Sequence, residues 1–73
     1  MKTKYDWSNV PSEVLWIATE KDGSAFGHKS KPVCFDLNFR CGWVSAKYDY
    51  FYIRESDNTF KGNWQDSLEE RPQ

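Results

Sequence analysis

One histidine and two cysteines are all that this 73-residue chain offers a soft metal ion. Without a close Cys or His pair, that set argues against a zinc site, whose Cys and His ligands come in closely spaced pairs. There is no G-x-x-x-x-G-K and no G-x-G-x-x-G, so neither common phosphate loop is present. No run of 18 apolar residues occurs, hence no membrane-spanning helix is expected. The opening Met1-Lys2-Thr3-Lys4-Tyr5-Asp6 has no apolar stretch of the signal-peptide kind, and the expectation is a chain that stays in the cytoplasm where it is made. An excess of either charge is also missing: ten Lys and Arg face eleven Asp and Glu, for a net charge of −1. This argues against long nucleic acid as a partner, which needs clustered positive charge, and against an acidic mimic of it. Lys21, Lys29 and Lys31 gather, but acids sit nearby, and the group reads as a solvated face.

Catalytic chemistry finds equally little. His28 has no nucleophile or carboxylate at a recognisable spacing. Asp22-Gly23 is turn chemistry, and Glu69-Glu70 reads as a solvated acidic pair. Cys34 and Cys41 are seven residues apart, roughly 23 Å along one strand and on opposite faces, beyond disulfide reach. Both are expected as thiols. The chain is therefore read as a non-enzyme, without cofactor or metal.

What the chain does have is aromatic residues, 13 of them. The densest run, Tyr48-Asp49-Tyr50-Phe51-Tyr52-Ile53, alternates. In an extended strand Tyr48, Tyr50 and Tyr52 share one face, and Phe51 and Ile53 the other. Phe35, Leu37, Phe39, Cys41 and Trp43 line one face of the preceding segment in the same way. The fold expected is a single mostly β domain over residues 1–73, an antiparallel meander of about four strands. Val14 to Thr19 forms the first strand. A two-residue turn centred on Asp22-Gly23 pairs Thr19 with Phe26 and Ile17 with His28. A long strand runs from Val33 to Val44, and Ser45-Ala46-Lys47 turns it into a fourth, Tyr48 to Glu55. Asp66 to Arg71 forms one helical turn before Pro72.

That arrangement packs Trp16, Phe35, Leu37, Phe39, Trp43, Phe51 and Ile53 into one core face. It leaves Tyr48, Tyr50, Tyr52, Arg40 and Asn38 on the opposite face as the candidate binding surface. Tyr and Arg are enriched at binding hot spots because they present large area with few rotors to immobilise. The same rings could stack a nucleobase, with Lys29, Lys31 or Arg40 on a phosphate. At this size the chain is near the lower limit for a self-sufficient core, and a marginal monomer or a small homo-oligomer is expected.

Three strings carry a resemblance: Lys4-Tyr5-Asp6-Trp7-Ser8-Asn9-Val10-Pro11, then Trp16-Ile17-Ala18-Thr19 with Asp22-Gly23, and Gly62-Asn63-Trp64-Gln65-Asp66-Ser67-Leu68-Glu69-Glu70-Arg71-Pro72. Together they resemble small proteins of tailed bacteriophages and prophages that begin Y-D-W-S-x-V-P and end G-x-W-x-x-S-L-E-x-R-P. The resemblance covers both ends and the first strand, not residues 29–59. It implies a phage product acting inside a bacterial host, in the cytoplasm, of the kind that binds a host or host-defence protein. The alternatives are a sponge for a nucleotide signal and a virion or assembly component. Trp7 and Trp64 are read as lids closing the sheet.

Overall fold

The computed structural model describes residues 3–37, 40–45 and 50–72, with residues 36, 37, 40 and 41 by backbone alone. Among these the protein is mostly β, with six strands in antiparallel sheets and only short 3-10 turns. Strands β1 (Trp16–Thr19), β2 (Ala25–His28), β5 (Tyr50–Ile53) and β6 (Glu69–Glu70) form one sheet in the order β5-β2-β1-β6. Strands β3 (Val33–Leu37) and β4 (Arg40–Val44) form a separate two-stranded sheet.

The β1–β2 hairpin closes through a three-residue loop, not the two-residue turn expected. Glu20 N–H donates to Ser24 O at 2.7 Å and Gly23 N–H to Glu20 O at 2.9 Å. Gly23, at φ +96°, takes the positive-φ position that ends such a loop. The Asp22 carboxylate accepts from the Ser24 N–H at 2.9 Å, bracing the bend. One extra loop residue shifts the register by one, so Trp16 pairs with His28 and Ala18 with Phe26. Phe26 and His28 therefore move to the Trp16 face, and Ala25 and Gly27 join Ile17 and Thr19.

The face of Ile17, Ala25 and Ile53 carries the core, and the lead-in segment covers it with Tyr5, Val10 and Val14, flanked by Trp7 and Phe60. Gly27 is needed here: a Cβ on it would lie 2.5 Å from Val14 Cγ1. The expected core is corrected accordingly. Ile53 belongs to it, but Phe51 is 39% exposed, Trp16 and Phe35 are half-buried, and Trp43 is buried elsewhere. Phe39 and the Leu37 side chain lie outside the described residues.

The long strand over 33–44 is two strands. Val33 pairs with Val44 and Leu37 with Arg40, so an extended run of twelve residues folds on itself to satisfy its own backbone groups. In backbone register Cys34 lies opposite Trp43 and Cys41 opposite Asp36, so the two cysteines are two positions apart on neighbouring strands and the wide separation derived for a single strand does not hold. The hairpin lies on the outer face of the larger sheet. The Glu20 carboxylate accepts from the Trp43 N–H at 2.8 Å. It occupies the space a Cβ of Gly42 would fill, where the backbone takes φ +150°. Burial pushes the Glu20 carboxyl above its ordinary pKa, while the Trp43 N–H works against that rise. Trp43 Nε1 donates to Trp64 O at 3.2 Å.

The C-terminal turn is also displaced. A 3-10 turn spans Trp64–Asp66, with the Asn63 side chain accepting from the Gln65 N–H, and the chain then extends into β6 rather than coiling to Arg71.

Candidate functional site

Strand β5 is one edge of the four-stranded sheet, and its neighbour is β2, not β4. Tyr52 lies opposite Phe26 and Tyr50 opposite His28. Phe26 meets both tyrosine rings edge-on, at 5.6 Å to Tyr52 and 6.2 Å to Tyr50. The His28 ring stands at 84° to Tyr50, 5.2 Å away. These are favourable edge-to-face contacts, and they hold the two phenols in place. Tyr50 and Tyr52 remain 46% and 58% exposed, while His28 beneath them is fully buried.

His28 Nδ1 lies 3.2 Å from Ser45 Oγ at the end of the hairpin, a bond that ties the hairpin to the sheet. Burial lowers the His28 pKa from 6.5 to about 4, so the ring is neutral at pH 7. A neutral histidine bonded to a serine hydroxyl has the ingredients of a base and nucleophile. Both side chains are fully buried. Across the sheet Trp16 pairs with Glu70, and Lys31 Nζ sits 5.5 Å from the Trp16 ring centroid. Leu15, Trp16, Glu70, Arg71 and Pro72 border an open cleft of about 280 Å³ at the opposite sheet edge.

Of the residues expected at the site, the structure brings Tyr50 and Tyr52 together. Asn38 and Tyr48 lie outside the described residues, and Arg40 is described by backbone only. Arg40 begins β4, opposite Leu37, and its strand does not pair with the tyrosine strand. Phe26 and His28 take the neighbouring places. Their alternation on β2 was visible in the sequence, but the turn length decided which face they joined.

The strings at the two ends belong to one clasp. Tyr5 O–H donates to Ser67 O at 3.0 Å, so the Thr19 hydroxyl, 2.7 Å away, donates to Tyr5. Ser67 Oγ accepts from the Thr19 N–H at 2.7 Å. The Glu69 carboxylate accepts from Trp7 Nε1 at 2.7 Å and from the Lys4 N–H at 2.8 Å, so it is not the solvated acid expected from sequence. Arg71 donates through Nε to Val14 O at 2.7 Å, and through one terminal nitrogen to Val10 O at 3.0 Å and Pro11 O at 2.6 Å. Its guanidinium lies 4.9 Å over the Trp7 ring. The terminal motifs thus hold one another, which is a structural role.

Among the described residues, no three His, Cys, Asp or Glu side chains are grouped to hold a metal ion, and no helix is long and apolar enough to cross a membrane. Comparison with family models, curated proteins and solved structures gives no match to this chain.

Proposed function

We propose that this chain is a non-enzymatic binding protein that captures a host or host-defence protein in the cytoplasm of a bacterium infected by a phage. The contact surface is the pair Tyr50 and Tyr52. The observation that carries the reading is their support. Two phenols about half exposed rest on Phe26 and on the buried His28, which restrict their rotation before any partner arrives. Rings immobilised in advance lose little entropy on binding. The cellular setting rests on the resemblance of the terminal strings to phage proteins.

The test is capture from bacterial lysate by the tagged chain and by its Tyr50→Ser/Tyr52→Ser variant, with mass spectrometry of bound proteins and small molecules. The expected result is a stoichiometric protein retained by the native chain and lost from the variant. Retention by both refutes the surface. A nucleotide in place of a protein moves the reading to a ligand sponge, and a thermal-shift series with mono- and cyclic nucleotides then checks it.

A further inference from the structure

We propose that the cleft beside β6 receives an arginine side chain of a partner polypeptide, its guanidinium paired with Glu70 and stacked along Trp16. The two glutamates of β6 have different surroundings. Glu69 is used within the fold, accepting from Trp7 Nε1 and from the Lys4 N–H. Glu70 is exposed, and among the described residues its carboxylate has no hydrogen-bond or ion-pair partner. Strand alternation separates them: Glu69 turns to the inner face with the lead-in segment, and Glu70 to the outer face. There Glu70 lies opposite Trp16 in register, and side chains so placed have Cβ atoms about 4.5–5.5 Å apart. An unpaired carboxylate thus stands beside an indole ring.

That ring already draws a cation. Lys31 Nζ sits 5.5 Å from the Trp16 ring centroid, and Lys31 is itself exposed. The same kind of pair occurs on the inner face, where the Arg71 guanidinium lies 4.9 Å over the Trp7 ring. Arg71 also borders the cleft, but its Nε and one terminal nitrogen are committed to the carbonyls of Val14, Val10 and Pro11.

Leu15, 44% exposed, and Pro72 supply apolar walls along which an aliphatic stem can lie. The cleft volume of about 280 Å³ is just under the roughly 300–1,000 Å³ of pockets that enclose a whole small molecule. It suits one side chain, so the ligand is a residue of a larger partner. Arginine fits better than lysine, because its planar guanidinium stacks on an indole while presenting a fork to a carboxylate. The five residues bordering the cleft all lie among those described. Strands β5 and β6 are opposite edges of the sheet, so this contact is separate from the tyrosine surface.

The experiment uses the purified chain and two peptides, acetyl-Ala-Arg-Ala-amide and its citrulline counterpart, which keeps the shape of arginine without the charge. Host-protein capture is not measured, so the outcome is independent of the tyrosine reading. In a nitrogen-15 NMR titration, the arginine peptide at millimolar concentration is expected to shift the backbone signals of Leu15, Trp16 and Glu70 and the Trp16 indole signal. The citrulline peptide and the Glu70→Gln variant are each expected to weaken binding about two- to fivefold, the worth of one exposed ion pair or cation–π contact. Lys31→Ala is expected to tighten binding by a similar factor, because it removes a competing cation from the ring. Glu70 and Lys31 are both exposed, so both variants are expected to keep the native spectrum elsewhere. Equal binding of the two peptides, native affinity in Glu70→Gln, failure of Lys31→Ala to tighten binding, or no shift at the cleft overturns the assignment.

Discussion

The two faces of the four-stranded sheet are held by different physics. On the inner face the chain termini converge: Tyr5, Trp7, Ser67, Glu69 and Arg71 link segments more than sixty residues apart through directional hydrogen bonds to backbone and carboxylate. On the outer face β5 carries rings that touch other rings, and two of them remain about half exposed. A buried hydrogen bond to a charged group is costly to remove because its partner is left unsatisfied. An exposed ring on an edge strand can be lost with little penalty. The clasp therefore maintains the fold, whereas the tyrosine edge presents partly exposed rings.

The sharpest way to break this contrast is at Arg71. Arg71→Ala leaves the carbonyls of Val10, Pro11 and Val14 without their donor and uncovers the Trp7 ring. A loss of about 2–3 kcal/mol is expected, equivalent to a fall in Tm of roughly 10–20 °C for a chain this small. Thermal unfolding followed by circular dichroism measures it. Next comes Gly27→Ala, which forces a methyl into Val14 and is expected to cost about 1–3 kcal/mol. Combining it with Val14→Ala should cost less than the two single changes added together, since the smaller side chain makes the missing room. Strict additivity would mean that the contact does not limit this position.

Acid probes the seam between the outer face and the hairpin. His28 titrates near 4 in the folded protein against 6.5 ordinarily, because burial disfavours its charged form. The unfolded chain thus takes up the proton first, so stability is complete above about pH 6.5 and falls as the pH drops toward 4. Glu20, raised by burial, acts in the opposite direction, its folded form being the more readily protonated. Comparing Tm at several pH values for the native chain and His28→Gln isolates the histidine, and the variant is expected to show a shallower acid limb. The smallest effect is reserved for Tyr50→Ser/Tyr52→Ser, expected to cost less than about 1 kcal/mol of stability. A loss as large as that of Arg71→Ala would place the tyrosines in the fold rather than on a contact surface.

Several of these features were legible in the residues. The tyrosine alternation correctly placed Tyr50 and Tyr52 on one exposed side, and Asp22-Gly23 marked the first bend. The bend's length was not legible, because Asp-Gly serves both a two-residue turn and the end of a three-residue loop, and only the Ser24 contacts distinguish them. That single residue moved Phe26 and His28 beneath the tyrosines. Consecutive strands in a meander would put Arg40 on the same face as the tyrosines, yet β4 pairs back onto β3 and β5 goes to β2.

By itself the sequence determined what depends on neighbours along the chain. It specified the β class through period-two alternation of rings and branched residues, the bend at Gly23 through its freedom at positive φ, and the absence of familiar catalytic and phosphate-binding motifs. Tertiary structure alone decided which strands adjoin, that Tyr5 and Arg71 serve as internal hydrogen-bonding groups, and that His28 is sealed and neutral. Strand pairing and burial depend on contacts between residues more than sixty positions apart, and one residue of loop length is enough to redirect them.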